Sequence, residues 1–171
     1  MSPRTRHSGR ETAAAESRKR RTWYGYGHLT WVEKNWFGVF LHDITRIYAE
    51  ISVFSLPALF GISLYPATTF VDVTAMALVA WMMMVLTGTL IRGGSIAPLA
   101  TTSPGWVTLA PTLIVLRVAY FNFGMLIASF GGLALAAVAG TAVGLLWAGG
   151  SATVLVLLFP RTAELWLARR R

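Results

Sequence analysis

Asp43, Arg46, Glu50, Asp72, Arg92, Arg117 and Asn122 are the side chains that stand in or beside long apolar stretches of this chain, so any chemistry of those stretches begins with them. Arg117 is the most exceptional. It falls near the middle of an apolar run, where an arginine in lipid costs between about 2.5 kcal/mol and several times that. It must face protein or water and find a carboxylate or carbonyl oxygens. One reading is that Arg117 binds an anion or forms a switchable ion pair. The other, preferred, is that it joins helices by pairing with Glu50 or with carbonyls, or reaches the interface along its own stem. Asn122 is a neutral companion, and Glu50, Arg117 and Asn122 together are the intramembrane polar candidates.

Asp43, Arg46 and Glu50 follow one another at three and four residues, which puts alternating charges on one helix face. A solvated or interfacial charge ladder is the plain reading, and a proton path through Glu50 is the functional one. Asp72 follows Thr69 at the spacing of a helix start, so capping explains it better than function does.

Other chemistries lack their residues. The chain has no cysteine, which removes thiolate nucleophiles, iron–sulfur clusters and cysteine zinc sites. His7, His28 and His42 are scattered without a second ligand at metal spacing. Met82, Met83 and Met84 are adjacent, and neighbouring helical residues point about 100° apart, so they cannot converge on one ion. Gly25-Tyr26-Gly27 resembles a piece of a carbonyl-lined ion filter only in letters, because no pore helix precedes it. Membrane enzymes gather acidic or His residues at one depth, and no such gathering is visible. The expectation is a protein that is not an enzyme and has no cofactor and no metal.

The elements that must position these residues are apolar helices. Of the 171 residues, 55% are hydrophobic and 13% charged, with a mean hydropathy of +0.58, which is a composition for lipid rather than water. The fold class expected is all-α: a polytopic integral membrane protein, a four-transmembrane-helix bundle preceded by an interfacial aromatic helix. Residues 1–22 form a basic tail with almost no large apolar side chain, expected to be disordered. Residues 23–46 hold Trp23, Tyr24, Tyr26, Trp31, Trp36, Phe37 and Phe40 among polar residues, a mixture suited to the headgroup layer. Thr30 and Glu33 there fit a capping box, so a helix begins that either lies on the membrane or extends the first span.

The transmembrane domain is placed at 47–160, with spans at about 47–65, 71–91, 107–130 and 133–159, each near the ~20 residues a bilayer crossing needs. Pro57 should kink the first span. Arg92, Gly93 and Gly94 supply a cation and a left-handed glycine to close the second. Ser103 and Pro104 read as the start of the third helix, Gly131 and Gly132 as a tight reversal, and Pro160 as the stop of the fourth. Residues 161–171 are a second basic tail. In the fourth span Ala136, Gly140, Gly144, Ala148 and Ala152 recur every four residues, a stripe that lets another helix approach closely.

The net charge of +8 is not a nucleic-acid footprint, because the basic residues cluster at the two ends. With four spans and a cytoplasmic N-terminus, every Lys and Arg except Arg117 falls on or at the edge of the cytoplasmic side, as short membrane loops prefer. The localisation expected is a cell membrane, multi-pass, with both termini cytoplasmic. Arg20-Arg21 is not followed by an apolar export core. The partners expected are the lipid bilayer, with anionic lipids meeting the basic tails, and a second copy or another membrane protein. The functional expectation is a non-catalytic accessory or scaffold subunit of a membrane complex, and the alternative is a small oligomeric transporter or channel with Arg117, Asn122 and Glu50 along a polar path.

Overall fold

A computed structural model describes residues 36–66, 72–101 and 111–169. These form four α-helices and no strand: α1 Trp36–Ser63, α2 Val73–Arg92, α3 Pro111–Ala139 and α4 Thr141–Ala168. The basic tail at 1–22, the Thr30 and Glu33 pair, Thr69, the Ser103-Pro104 start and the arginines at 170 and 171 lie outside the described residues. Three helices are long and apolar enough to cross a membrane: Val73–Arg92, Leu113–Ala139 and Thr141–Ala168. The chain is thus compatible with a multi-pass membrane protein. α1 is as long as α4, but its first half carries Asp43, Arg46 and Glu50. Residues 36–46 run into it unbroken, so this part of the aromatic segment extends the first long helix.

The helices run up and down, with α2 and α3 each packed against all the others and α1 and α4 on opposite flanks. The surface is apolar: Val138 and Leu146 are 88% and 76% exposed, whereas the interior holds Phe121, Phe159, Ile51, Met76 and Met125. Water would penalise such a surface, and hydrocarbon would not. Of the methionine run, Met84 is in the core and Met82 faces outward, as a 100° step per residue requires.

α2 shows its ends in its sequence. The Asp72 carboxylate accepts hydrogen bonds from the backbone N–H groups of Thr74 at 2.9 Å and Ala75 at 3.2 Å, capping the helix. At the other end Gly94 takes the left-handed conformation (φ 76°). The Ser95 N–H reaches the Leu90 carbonyl and the Gly94 N–H that of Ile91, the pair of bonds of a Schellman ending.

The reversal between α3 and α4 differs from the sequence expectation. α3 runs straight through Gly131 and Gly132, and the chain turns at Gly140, whose φ of 95° favours a residue without a Cβ. A glycine pair serves a turn or a close helix contact equally well, and here it serves contact. A Cβ on Gly132 would lie 2.9 Å from the Gly144 carbonyl oxygen, and one on Gly144 would lie 2.5 Å from that of Gly132 and 2.7 Å from Ala136 Cβ. The small-residue stripe is therefore not on one helix. Ala136 is on α3, Gly140 is the corner, and Gly144 and Ala148 are on α4, so the stripe folds back and packs against itself. The third and fourth boundaries move accordingly, to 139 and 141.

Neither proline stops its helix: Pro57 lies inside α1 and Pro160 inside α4. A proline lacks an N–H and disturbs the ladder behind it, freeing carbonyls on the preceding turn. In both cases the carbonyl three residues before the proline takes a donor from another element. Phe54 O accepts from the Asn122 side chain on α3 at 2.6 Å. Leu157 O accepts the N–H of Leu99, in the segment after α2, at 3.0 Å. α4 continues past Pro160 to Ala168 with that replacement in place.

Candidate functional site

Nearly every charge among the described residues lies at one end of the bundle. In an up-and-down arrangement that end collects the first half of α1, the end of α2, the start of α3 and the end of α4. Asp43 pairs with Arg92 (Oδ1 to Nε, 3.2 Å), Glu50 with Arg117 (Oε1 to Nη1, 3.0 Å) and Arg161 with Glu164 (3.3 Å). Thr101 donates to the Glu164 carboxylate at 2.5 Å. Among the described residues Asp72 alone is charged at the opposite end, where it caps α2.

Glu50 and Arg117 are drawn together by geometry that the sequence suggests. α1 and α3 run in the same direction, and Asp43, Ile47, Ile51, Ser55, Ala58 and Ile62 make the buried face of α1. That spacing of three and four residues turns Asp43 inward and Glu50 partly inward, so the charge ladder is not fully solvated. Arg46 remains exposed. Arg117 is 3% exposed. Its Nη1 is close to Glu50 but off the line of a hydrogen bond, and its Nε and Nη2 are buried without a hydrogen-bond partner among the described residues. Arg117 sits in the first third of α3, because that helix extends to Ala139 rather than to 130. A span of 107–130 puts it near the middle, whereas in Pro111–Ala139 it is the seventh of 29 residues.

Asn122 lies further along α3 and does a separate job. Its Oδ1 accepts the Ala58 N–H at 2.7 Å, and its Nδ2 donates to Phe54 O and to Val118 O, each at 2.6 Å. In a regular helix the Ala58 N–H would bond to Phe54 O. The Asn122 amide stands where that bond would be, answering both groups at once, which is a side chain inserted into the ladder beside a proline. The three polar candidates thus hold α1 to α3 at two levels, Glu50–Arg117 nearer the charged end and Asn122 one to two turns deeper.

Elsewhere, among the described residues, the buried polar side chains are hydroxyls of Ser and Thr. Ser55, Thr89 and Ser129 return their hydroxyls to carbonyls four residues back on their own helices. Phe121 and Phe159 stack with centroids 5.2 Å apart, with Tyr120 against them and its hydroxyl on Leu155 O. No group of three His, Cys, Asp or Glu side chains that could hold a metal occurs among the described residues.

The Asp43–Arg92 pair, the Thr101–Glu164 bond and the Leu99–Leu157 bond were not apparent in the sequence. For Pro160 the signal was present: a proline inside a long apolar run demands an outside donor. What that donor is depends on a backbone N–H, which carries no sequence mark.

Residues 30–165 match the model of a family described as a domain of unknown function (DUF8215). No curated protein and no solved structure matches the chain.

Proposed function

The chain belongs to the DUF8215 family, and we propose that it is a non-catalytic integral membrane protein, an accessory or scaffold subunit of a membrane complex. In this reading α1 is a fourth transmembrane span, with its aromatic forward extension at the interface. The protein lies in a cell membrane with both termini cytoplasmic. The supporting pattern is the gathering of Asp43, Arg46, Glu50, Arg92, Arg161 and Glu164 at the end that holds the N-terminal half of α1 and the C-terminal half of α4. Short loops retain basic residues on the cytoplasmic side.

The observation that carries the scaffold reading is the employment of Asn122. A solute path needs polar groups that face it in succession, and each hydrogen-bonding group of this amide is engaged by α1 or by its own helix. At its level the interior is Phe121 and Phe159, and beyond it Met125, Ile62 and Ser129, whose hydroxyl is turned back on Met125 O. A closed bundle with an apolar outside is suited to lie against other helices and lipid.

The test is purification of the full chain in mild detergent, with copurifying proteins identified by mass spectrometry and the particle sized by light scattering. A stoichiometric foreign membrane protein is the expected result. A homo-oligomer without a partner that moves a solute in vesicles, and loses that movement in Asn122→Ala while still assembling, overturns the scaffold reading.

A further inference from the structure

The Glu50 pair engages only one corner of the Arg117 guanidinium. Nη1 faces Glu50, while Nε and Nη2 are buried and have no hydrogen-bond partner among the described residues. Nε–H and one N–H of Nη2 lie parallel along the same edge of the planar group. This edge is the fork that arginine offers to two oxygens of a phosphate or carboxylate. Buried donors are almost always paired, and those of a charged group most of all.

The surroundings select an anion. Arg92 and Arg117 are each paired with a carboxylate of α1, Asp43 and Glu50, and the exposed Arg46 lies between those two carboxylates in α1. Three guanidinium groups, Arg46, Arg92 and Arg117, thus stand against two carboxylates, Asp43 and Glu50, which leaves the cluster cationic. Its place selects the kind of anion. The cluster is at the charged end of an apolar bundle, and Arg117 is about 9 Å along α3 from Pro111 at ~1.5 Å per residue. A position at the charged end of an apolar bundle suits a headgroup phosphate, since basic pockets between helices at the cytoplasmic face bind anionic lipid.

We propose that the Nε/Nη2 edge of Arg117 is a phosphate-binding site between α1 and α3, with Glu50 bracing the guanidinium from its other side. The site takes a phosphate oxyanion, carried by an anionic phospholipid or free in solution. It requires no chemical step, only a bidentate hydrogen-bonded ion pair. The proposal does not depend on the scaffold reading, since the site belongs to one chain alone.

The experiment uses the full chain, delipidated in detergent, with phosphatidylglycerol or inorganic phosphate added back and bound equivalents counted by native mass spectrometry. The wild type is expected to hold one equivalent of phosphatidylglycerol at least tenfold more tightly than Arg117→Gln. Arg117→Lys, which keeps the charge and loses the fork, should fall close to Arg117→Gln, and Glu50→Gln should still bind. Retention of phosphatidylglycerol against excess inorganic phosphate assigns the site to lipid, and saturable binding of inorganic phosphate alone assigns it to the free ion. Equal affinity in wild type and Arg117→Gln overturns the proposal. If the variants do not fold, by circular dichroism and gel filtration, the wild type decides. The Nε–H resonance of Arg117 should shift on addition of phosphatidylglycerol or phosphate, and a resonance that moves with neither ligand overturns it equally.

Discussion

Replacing Asn122 by alanine exposes what its amide does. The substitution removes three hydrogen bonds of 2.6–2.7 Å, but only two groups are left stranded, the Ala58 N–H and the Phe54 carbonyl. Val118 O keeps the main-chain donor of its own helix. Ala58 is 5% exposed, and lipid offers no replacement donor or acceptor. An unpaired buried backbone group costs about 1–3 kcal/mol, and hydrogen bonds between membrane helices average nearer ~0.6 kcal/mol because the unfolded state also finds partners. Asn122→Ala should therefore destabilise the bundle by about 2 kcal/mol.

The decisive comparison is with Pro57. In Pro57→Ala the helix can close its own ladder, the Ala58 N–H returning to Phe54 O, and the amide loses its purpose. Asn122→Ala made in that background should cost about 0.5 kcal/mol, giving a coupling of ~1.5 kcal/mol between residues on different helices. Reversible unfolding in mixed micelles, followed by the fluorescence of the seven tryptophans, measures all four corners of the cycle. Additive effects, within about 0.5 kcal/mol, would refute the idea that Asn122 repairs the proline break. Asn122→Asp sharpens the test, because a carboxylate can still accept from Ala58 but cannot donate to Phe54.

Gly144→Ala should cost about 1–3 kcal/mol in the same assay, since the new Cβ meets the Gly132 carbonyl at 2.5 Å and backbone must move. Gly150→Ala, with nothing within 4 Å of its Cβ, should be close to neutral; equal losses would mean that α3 and α4 are not in close contact. The chain has no cysteine, so Ser63→Cys, Ser95→Cys and Thr141→Cys each carry a single thiol for labelling by an impermeant reagent. Ser95→Cys should label from the cytoplasmic face and the other two from the opposite face. Labelling of Ser63→Cys on the same side as Ser95→Cys would remove α1 from the set of spans.

Much of this arrangement was legible in particular residues. Asp72 and the Arg92-Gly93-Gly94 run marked the ends of α2, because capping is local chemistry written in adjacent residues. Glu50 and Arg117 are brought within 3.0 Å of each other, a pairing the sequence allowed because an isolated arginine in an apolar run has few partners. The hairpin was illegible for a reason specific to apolar chains. In a water-soluble helix a polar face locates the turn and the core, but lipid and core are both apolar, so the hydropathy of 111–168 reads as one continuous signal. Gly131-Gly132 and Gly140 then compete for the turn on equal terms. The position of Arg117 along its helix was misjudged by the same ambiguity, since the far end was set nine residues too early. Pro160 was read as a stop because proline lacks a donor, and the Leu99 N–H that compensates is invisible in a list of side chains.

The two ends of the bundle are held by different physics. Around Gly132, Ala136 and Gly144 the helices are held by close packing of backbone and small side chains, which depends little on salt, pH or headgroup. Around Glu50 and Arg117 they are held by charges whose strength depends on how much water and counter-ion reach them. Asn122 separates these regimes, fixing α1 to α3 by neutral hydrogen bonds at the level of Pro57. A change in ionic surroundings should therefore weaken the contacts at the charged end before those around Asn122 and the glycines.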